Sequence, residues 1–145
     1  MKKAYLLLVL FLLLNFSSKS QQLQIAMELY QSQNYIQAIN ILEHLEESDK
    51  QLFYLSKCYE NISLEKSRDL KIYFIENFKN SIFIDDINSS LADIQYNSSD
   101  YSNCINNYLK IARELTNKER FQLAYAFFVL QEYDKSSLIF KTVSY

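Results

Sequence analysis

Neither glycine nor proline occurs anywhere in the 145 residues, where ordinary usage supplies about 7% and about 5%. Without glycine the chain has no residue that takes a positive φ at little steric cost. A fold built from tight β-hairpins is therefore disfavoured. The same absence excludes Gly-rich phosphate loops, dinucleotide fingerprints and G-x-S-x-G nucleophile elbows. Helix ends are expected to use Asn, Ser or Asp where glycine usually stands. Hydrophobic residues make up 49% of the sequence and charged residues 22%, a core-forming balance and not that of a disordered chain.

The first twenty residues read as a secretory signal peptide. Lys2 and Lys3 precede an apolar run from Ala4 to Leu14, and Ser18 and Ser20 occupy the −3 and −1 places of a cut before Gln21. The alternative is an uncleaved anchor, although the run is shorter than the roughly 20 apolar residues a spanning helix needs. No Cys follows the run, so lipid attachment is not supported. Cleavage leaves 12 Lys and Arg against 17 Asp and Glu, a formal charge of −5. Such a chain carries no electrostatic footprint for nucleic acid. Its two cysteines, Cys58 and Cys104, are no disulfide framework and read as small, half-buried packing residues, with oxidation after export left open.

From Gln21 onward the apolar spacing is helical, and it repeats. Three segments align, beginning at Ala26, Ala92 and Ala124. Nine residues on stands Tyr35, Tyr101 or Tyr133; three further a small residue, Ala38, Cys104 or Ser136; four further a bulky one, Leu42, Tyr108 or Phe140. The first two tyrosines are 66 residues apart and the last two 32, which leaves space for one more unit. That unit, around Tyr54 to Phe74, is degenerate. Its Tyr59 and Ser67 fall near the expected places, but its turn tyrosine is missing. Four units result, near 21–47, 48–82, 83–116 and 117–145. Each is two antiparallel helices: the small residues permit close approach, the tyrosine fills the gap at the turn, and the bulky residue enters the core. One hairpin cannot bury its apolar face alone, so neighbours stack.

This pattern resembles the tetratricopeptide repeat, whose usual length is 34 residues. Ala26, Ala92 and Ala124 match its small residue of the first helix. Ala38, Cys104 and Ser136 match that of the second, and Phe140 matches its aromatic. The family's Trp, glycines and terminal Pro are absent. The resemblance implies an all-α, right-handed helical-hairpin solenoid of about four repeats that binds proteins or peptides. The stretch from Phe74 to Ile111 is similar to the linker between repeats in outer-membrane assembly and periplasmic coordinator proteins. Leu115 to Val143 is similar to the start of exported tetratricopeptide proteins of Bacteroidota. The last unit is the most apolar. Its outer face is expected to be exposed unless further repeats or a partner cover it.

An aromatic recurs late in the first helix of each unit: Tyr30, Tyr59, Tyr96 and Phe128. In tetratricopeptide arrays this part of the helix lines the concave groove, so the resemblance implies a strip of rings for an apolar or extended peptide, with Asp93, Asn97 and Tyr125 at its rim. The alternative is that the rings pack between adjacent units. No Arg/Lys cluster accompanies them, so a clamp for an acidic C-terminal tail is not supported.

Nothing points to catalysis, a cofactor or a metal. His44, the only histidine, has no His or Cys partner at helical spacing and reads as a solvated face residue. Asp85 and Asp86 sit where they complement a helix dipole. Asn61, Asn88 and Asn97 fall in N-x-S patterns of the kind that arise by chance in an Asn- and Ser-rich chain. The expected function is that of an exported interaction scaffold at the cell envelope. The alternatives are an accessory of outer-membrane protein assembly or envelope division, the non-catalytic appendage of an envelope enzyme, and a truncated gene remnant.

Overall fold

The computed structural model describes residues 19–143. The signal-peptide reading falls almost wholly on residues 1–18, outside the described residues. All regular structure among the described residues is helical. Helix α1 covers 19–31. It is followed by α2 (Tyr35–Leu42), α3 (Asp49–Tyr59), α4 (Leu64–Asn77), α5 (Ile84–Asn97), α6 (Tyr101–Tyr108), α7 (Asn117–Val129) and α8 (Tyr133–Phe140). The chain divides between Ser67 and Arg68 into two compact units.

In the first unit, Ala26, Ala38 and Leu42 are fully buried and α2 packs on α3. The Gln51 side-chain amide donates to the Leu42 carbonyl at the end of α2 at 2.8 Å, beside the Leu45 N–H that reaches the same oxygen at 3.2 Å. Ser48 caps α3 by accepting from Gln51 N. Lys19 at the start of α1 pairs with Glu46 in the α2–α3 link.

In the second unit, α5 packs on α6, α6 on α7, and α7 on α8. Ala92, Cys104, Ile105 and Tyr108 form one buried cluster with Leu123, Ala126 and Phe127 of α7. Thr116 and Glu119 form a capping box at the start of α7.

Three hairpin turns are congruent. Gln33, Ser99 and Gln131 take φ of 64°, 62° and 63°. Each donates its N–H three residues back, to Tyr30, Tyr96 or Phe128, at 3.0 Å. The next residue donates to Leu29, Gln95 or Phe127 at 2.8–2.9 Å. This is the Schellman closure of a helix. Ser99 is among the residue types expected there, whereas glutamine at the other two is not. These side chains pay a steric penalty that glycine avoids. Gln33→Gly, Ser99→Gly and Gln131→Gly are each expected to raise unfolding free energy by about 0.5–1 kcal/mol, measured by urea titration.

The α3–α4 turn differs. It has no positive φ, and it closes with Ser63 N donating to Tyr59 O at 2.8 Å. The fully buried serines Ser56 and Ser67 take the places of the small pair, and the Ser67 hydroxyl donates to the Ser56 carbonyl at 2.8 Å. They stand 11 residues apart, against 12 for Ala26–Ala38, Ala92–Cys104 and Ala124–Ser136. The second hairpin is thus one residue shorter across its turn.

Candidate protein-binding surface

The same ring pair closes all three congruent turns. Tyr30–Tyr35, Tyr96–Tyr101 and Phe128–Tyr133 have centroids 6.0, 5.9 and 5.6 Å apart. The turn tyrosine therefore packs against the ring three residues before the left-handed residue, within the range of favourable aromatic pairs. Tyr30 also meets Tyr54 of α3 edge-on at 5.5 Å, and Tyr96 meets Tyr125 of α7 at 5.8 Å. Both are half-buried. Burial pushes the hydroxyl pKa of each upward, helped at Tyr30 by Glu60 and at Tyr96 by Tyr125. These two rings bridge successive hairpins.

Tyr59 does not belong to this series. It is 6% exposed, and its hydroxyl donates to Glu43 at 2.6 Å, which raises its pKa. Lys66 Nζ lies 4.9 Å above the ring. The missing turn residue accounts for the correction. Measured from the small residue of the first helix, Tyr30, Tyr96 and Phe128 stand four places on, whereas Tyr59 stands three places after Ser56. One place on a helix is about 100° of rotation, enough to carry the ring inward.

Tyr125 is the hub of the second unit's rings. It stacks on Phe121 at 6.5 Å with planes 13° apart and meets Tyr101 at 6.1 Å and Phe128 at 6.5 Å. Phe121 in turn meets Phe140 at 5.6 Å. Phe121, Tyr125 and Phe128 are 43%, 37% and 53% exposed and lie at i, i+4 and i+7, one stripe of α7. Phe121 was missed in the sequence, although that spacing was there to find it. Asn97 is exposed. Asp93 is held within the unit: it accepts from the Tyr108 hydroxyl at 2.7 Å and pairs with Lys118 at 2.6 Å.

A polar clamp ties the α6–α7 link to α5. Asp85 accepts from the backbone N–H groups of Ala112 and Arg113 at 3.0 and 2.9 Å, a role beyond complementing the dipole of its own helix. Glu119 accepts from Arg113 at 2.9 and 2.7 Å, from the Ser89 hydroxyl at 2.5 Å and from Thr116 N at 2.7 Å. The Arg113 guanidinium, with Ser89 and Thr116 assisting, holds the Glu119 carboxyl far below the usual carboxylate range.

Both cysteines are free and fully buried. Burial raises the Cys58 thiol pKa to about 11, with a contribution from Glu60. It raises that of Cys104 to about 12, with Asp93 and Asp100 adding to it. His44 is exposed, its Nδ1 2.8 Å from the Asn40 carbonyl. Among the described residues no cluster of three or more His, Cys, Asp or Glu side chains is arranged to hold a metal ion. No described helix is long and apolar enough to cross a membrane.

Helical hairpins closed by one recurring turn, with small buried residues at a fixed spacing, define an all-α, tetratricopeptide-like fold. Solved structures of MamA, itself a tetratricopeptide-like all-helical protein, share it. One MamA AMB-1 structure superposes with a TM-score of 0.73 at 15% identity, covering 86% of this chain and 70% of that one. A second gives 0.72 at 15% identity over 85% and 75%. MamA MSR-1 gives 0.69 at 15% identity over 86% and 74%. No family model matches the sequence, and no curated protein matches it.

Proposed function

We propose that the chain is an exported protein–protein interaction scaffold that binds partner proteins or peptides at the cell envelope without catalysis. The observation that carries this reading is the exposed aromatic stripe of Phe121, Tyr125 and Phe128 on α7, continuous with Tyr96 through Tyr125. Rings in such a stripe take up apolar side chains of an extended partner, and the Tyr125 hydroxyl bonds its backbone. Asn97 supplies a polar edge, and Asp93 holds the platform beneath. Tyr30 with Tyr54 is the corresponding, smaller feature of the first unit. Export is supported by Lys2, Lys3 and the apolar run that follows them.

Site-specific photocrosslinking in the native cell tests this. Photoreactive side chains at Asn97 and Phe121 are expected to give discrete adducts that one at Ile82, 87% exposed in the α4–α5 link, does not. Phe128→Ala should weaken those adducts while leaving helicity intact. The same faint pattern at all three sites would sink the proposal. Recovery of barrel-assembly components in the adducts would identify an accessory of outer-membrane assembly.

A further inference from the structure

We infer that the outer face of the α7–α8 hairpin is a seat for one amphipathic helix of a partner protein, bearing apolar residues at i, i+3 and i+4. The inference rests on the scaffold reading and extends its surface from the α7 stripe, which shares Phe128 with the seat, onto α8.

The argument is one of register. In the α5–α6 hairpin, Tyr96, Tyr101, Cys104, Ile105 and Tyr108 receive Leu123, Ala126 and Phe127 of α7. Congruent turns map those five positions, 32 residues on, to Phe128, Tyr133, Ser136, Ser137 and Phe140. These five, with Lys141, line an open cleft of about 570 Å³. The cleft is therefore the repeat image of the surface that α7 covers, and it continues an interface already present in the fold. Phe128 and Tyr133 are 53% and 56% exposed, whereas their counterparts Tyr96 and Tyr101 pack against the buried cluster.

The seat's chemistry specifies its occupant. In the covered seat, the Tyr108 hydroxyl donates to Asp93 at 2.7 Å and stands 2.5 Å from the side-chain amide of Gln122 of α7. In the open one, Phe140 and Tyr125 stand for Tyr108 and Asp93. The helix that fits is spaced like Leu123, Ala126 and Phe127 but carries an aliphatic residue where α7 has Gln122. A glutamine there would face Phe140 where Gln122 faces the Tyr108 hydroxyl.

A second copy stacked head to tail fits poorly. Its α1 would present Ile25, Glu28 and Leu29 at the places of Leu123, Ala126 and Phe127. Ala126 is fully buried, so Glu28 would bring a carboxylate to a place that an alanine methyl fills.

The test uses the whole chain and a labelled peptide copying residues 116–131 with Gln122 replaced by Leu. Saturable binding by fluorescence anisotropy is expected. Ser137→Arg, at an exposed position inside the cleft, should weaken it at least tenfold with helicity unchanged by circular dichroism. Ile82→Ser should leave it unchanged; photocrosslinking at Asn97, which does not line the cleft, reports on the α7 stripe, so the seat and the stripe fail separately. No saturable binding, or equal binding by Ser137→Arg, overturns the inference; the latter would mean the peptide displaces α7 from its own seat. A chain that sediments as a dimer and becomes monomeric with Ser137→Arg would assign the face to a second copy, which also overturns it.

Discussion

Phe127→Ala is expected to lower unfolding free energy by about 3–5 kcal/mol, while Phe128→Ala, one residue on, costs about 1 kcal/mol or less. Phe127 is 3% exposed and sits in the cluster that joins α7 to the α5–α6 hairpin. Removing its ring leaves a cavity in close-packed surroundings. Phe128 keeps ring contacts with Tyr125 and Tyr133 but is 53% exposed, so solvent fills the space it vacates. Urea titrations of the two variants measure the contrast. Comparable losses would place the register of α7 one residue away from the one described, a rotation of about 100°.

Glu119→Gln is expected to cost about 2 kcal/mol at neutral pH, through loss of charge-assisted bonds from Arg113 and from Thr116 N. The cost should depend on pH in a definite direction. The Glu119 carboxyl is held far below its ordinary range in the folded chain, so the unfolded chain binds that proton more readily. The contribution is complete above about pH 4.3, the ordinary glutamate value. It is lost as pH falls from there toward the depressed folded value. The gap between the parent chain and Glu119→Gln should therefore narrow between pH 7 and pH 3 in urea titrations. A gap of the same size at both pH values would mean that the charge of Glu119 contributes nothing.

The three regular hairpins were legible because each repeats the same four-point spacing, and spacing along a helix translates directly into which side faces the core. The α3–α4 hairpin obeys the same packing logic with serines for alanines. Its turn is one residue shorter, so counting along the chain carried Tyr59 into a series to which it does not belong. Glutamine at the left-handed turn positions was not legible, because local preference argues against it and only the tertiary setting holds it there. The clamps formed by Asp85 and Glu119 were equally hidden. Asp85 reaches N–H groups 27 and 28 residues away, and contacts at that separation leave no periodic trace. In the candidate site, Tyr30 and Tyr96 were found but bridge hairpins. Phe121 lies outside that series: its stripe runs along one helix, and its counterparts in the regular hairpins are Leu23 and Ser89.

The two buried thiols divide evenly between the two compact units, Cys58 in the first and Cys104 in the second. Each is sealed in the native fold, and its raised pKa keeps it protonated at neutral pH, so a thiol reagent reaches it only when its surroundings open. Native-state labelling thus supplies two independent clocks within one molecule. The rate at Cys58 times the breathing of the first unit and the rate at Cys104 that of the second, without any engineered probe.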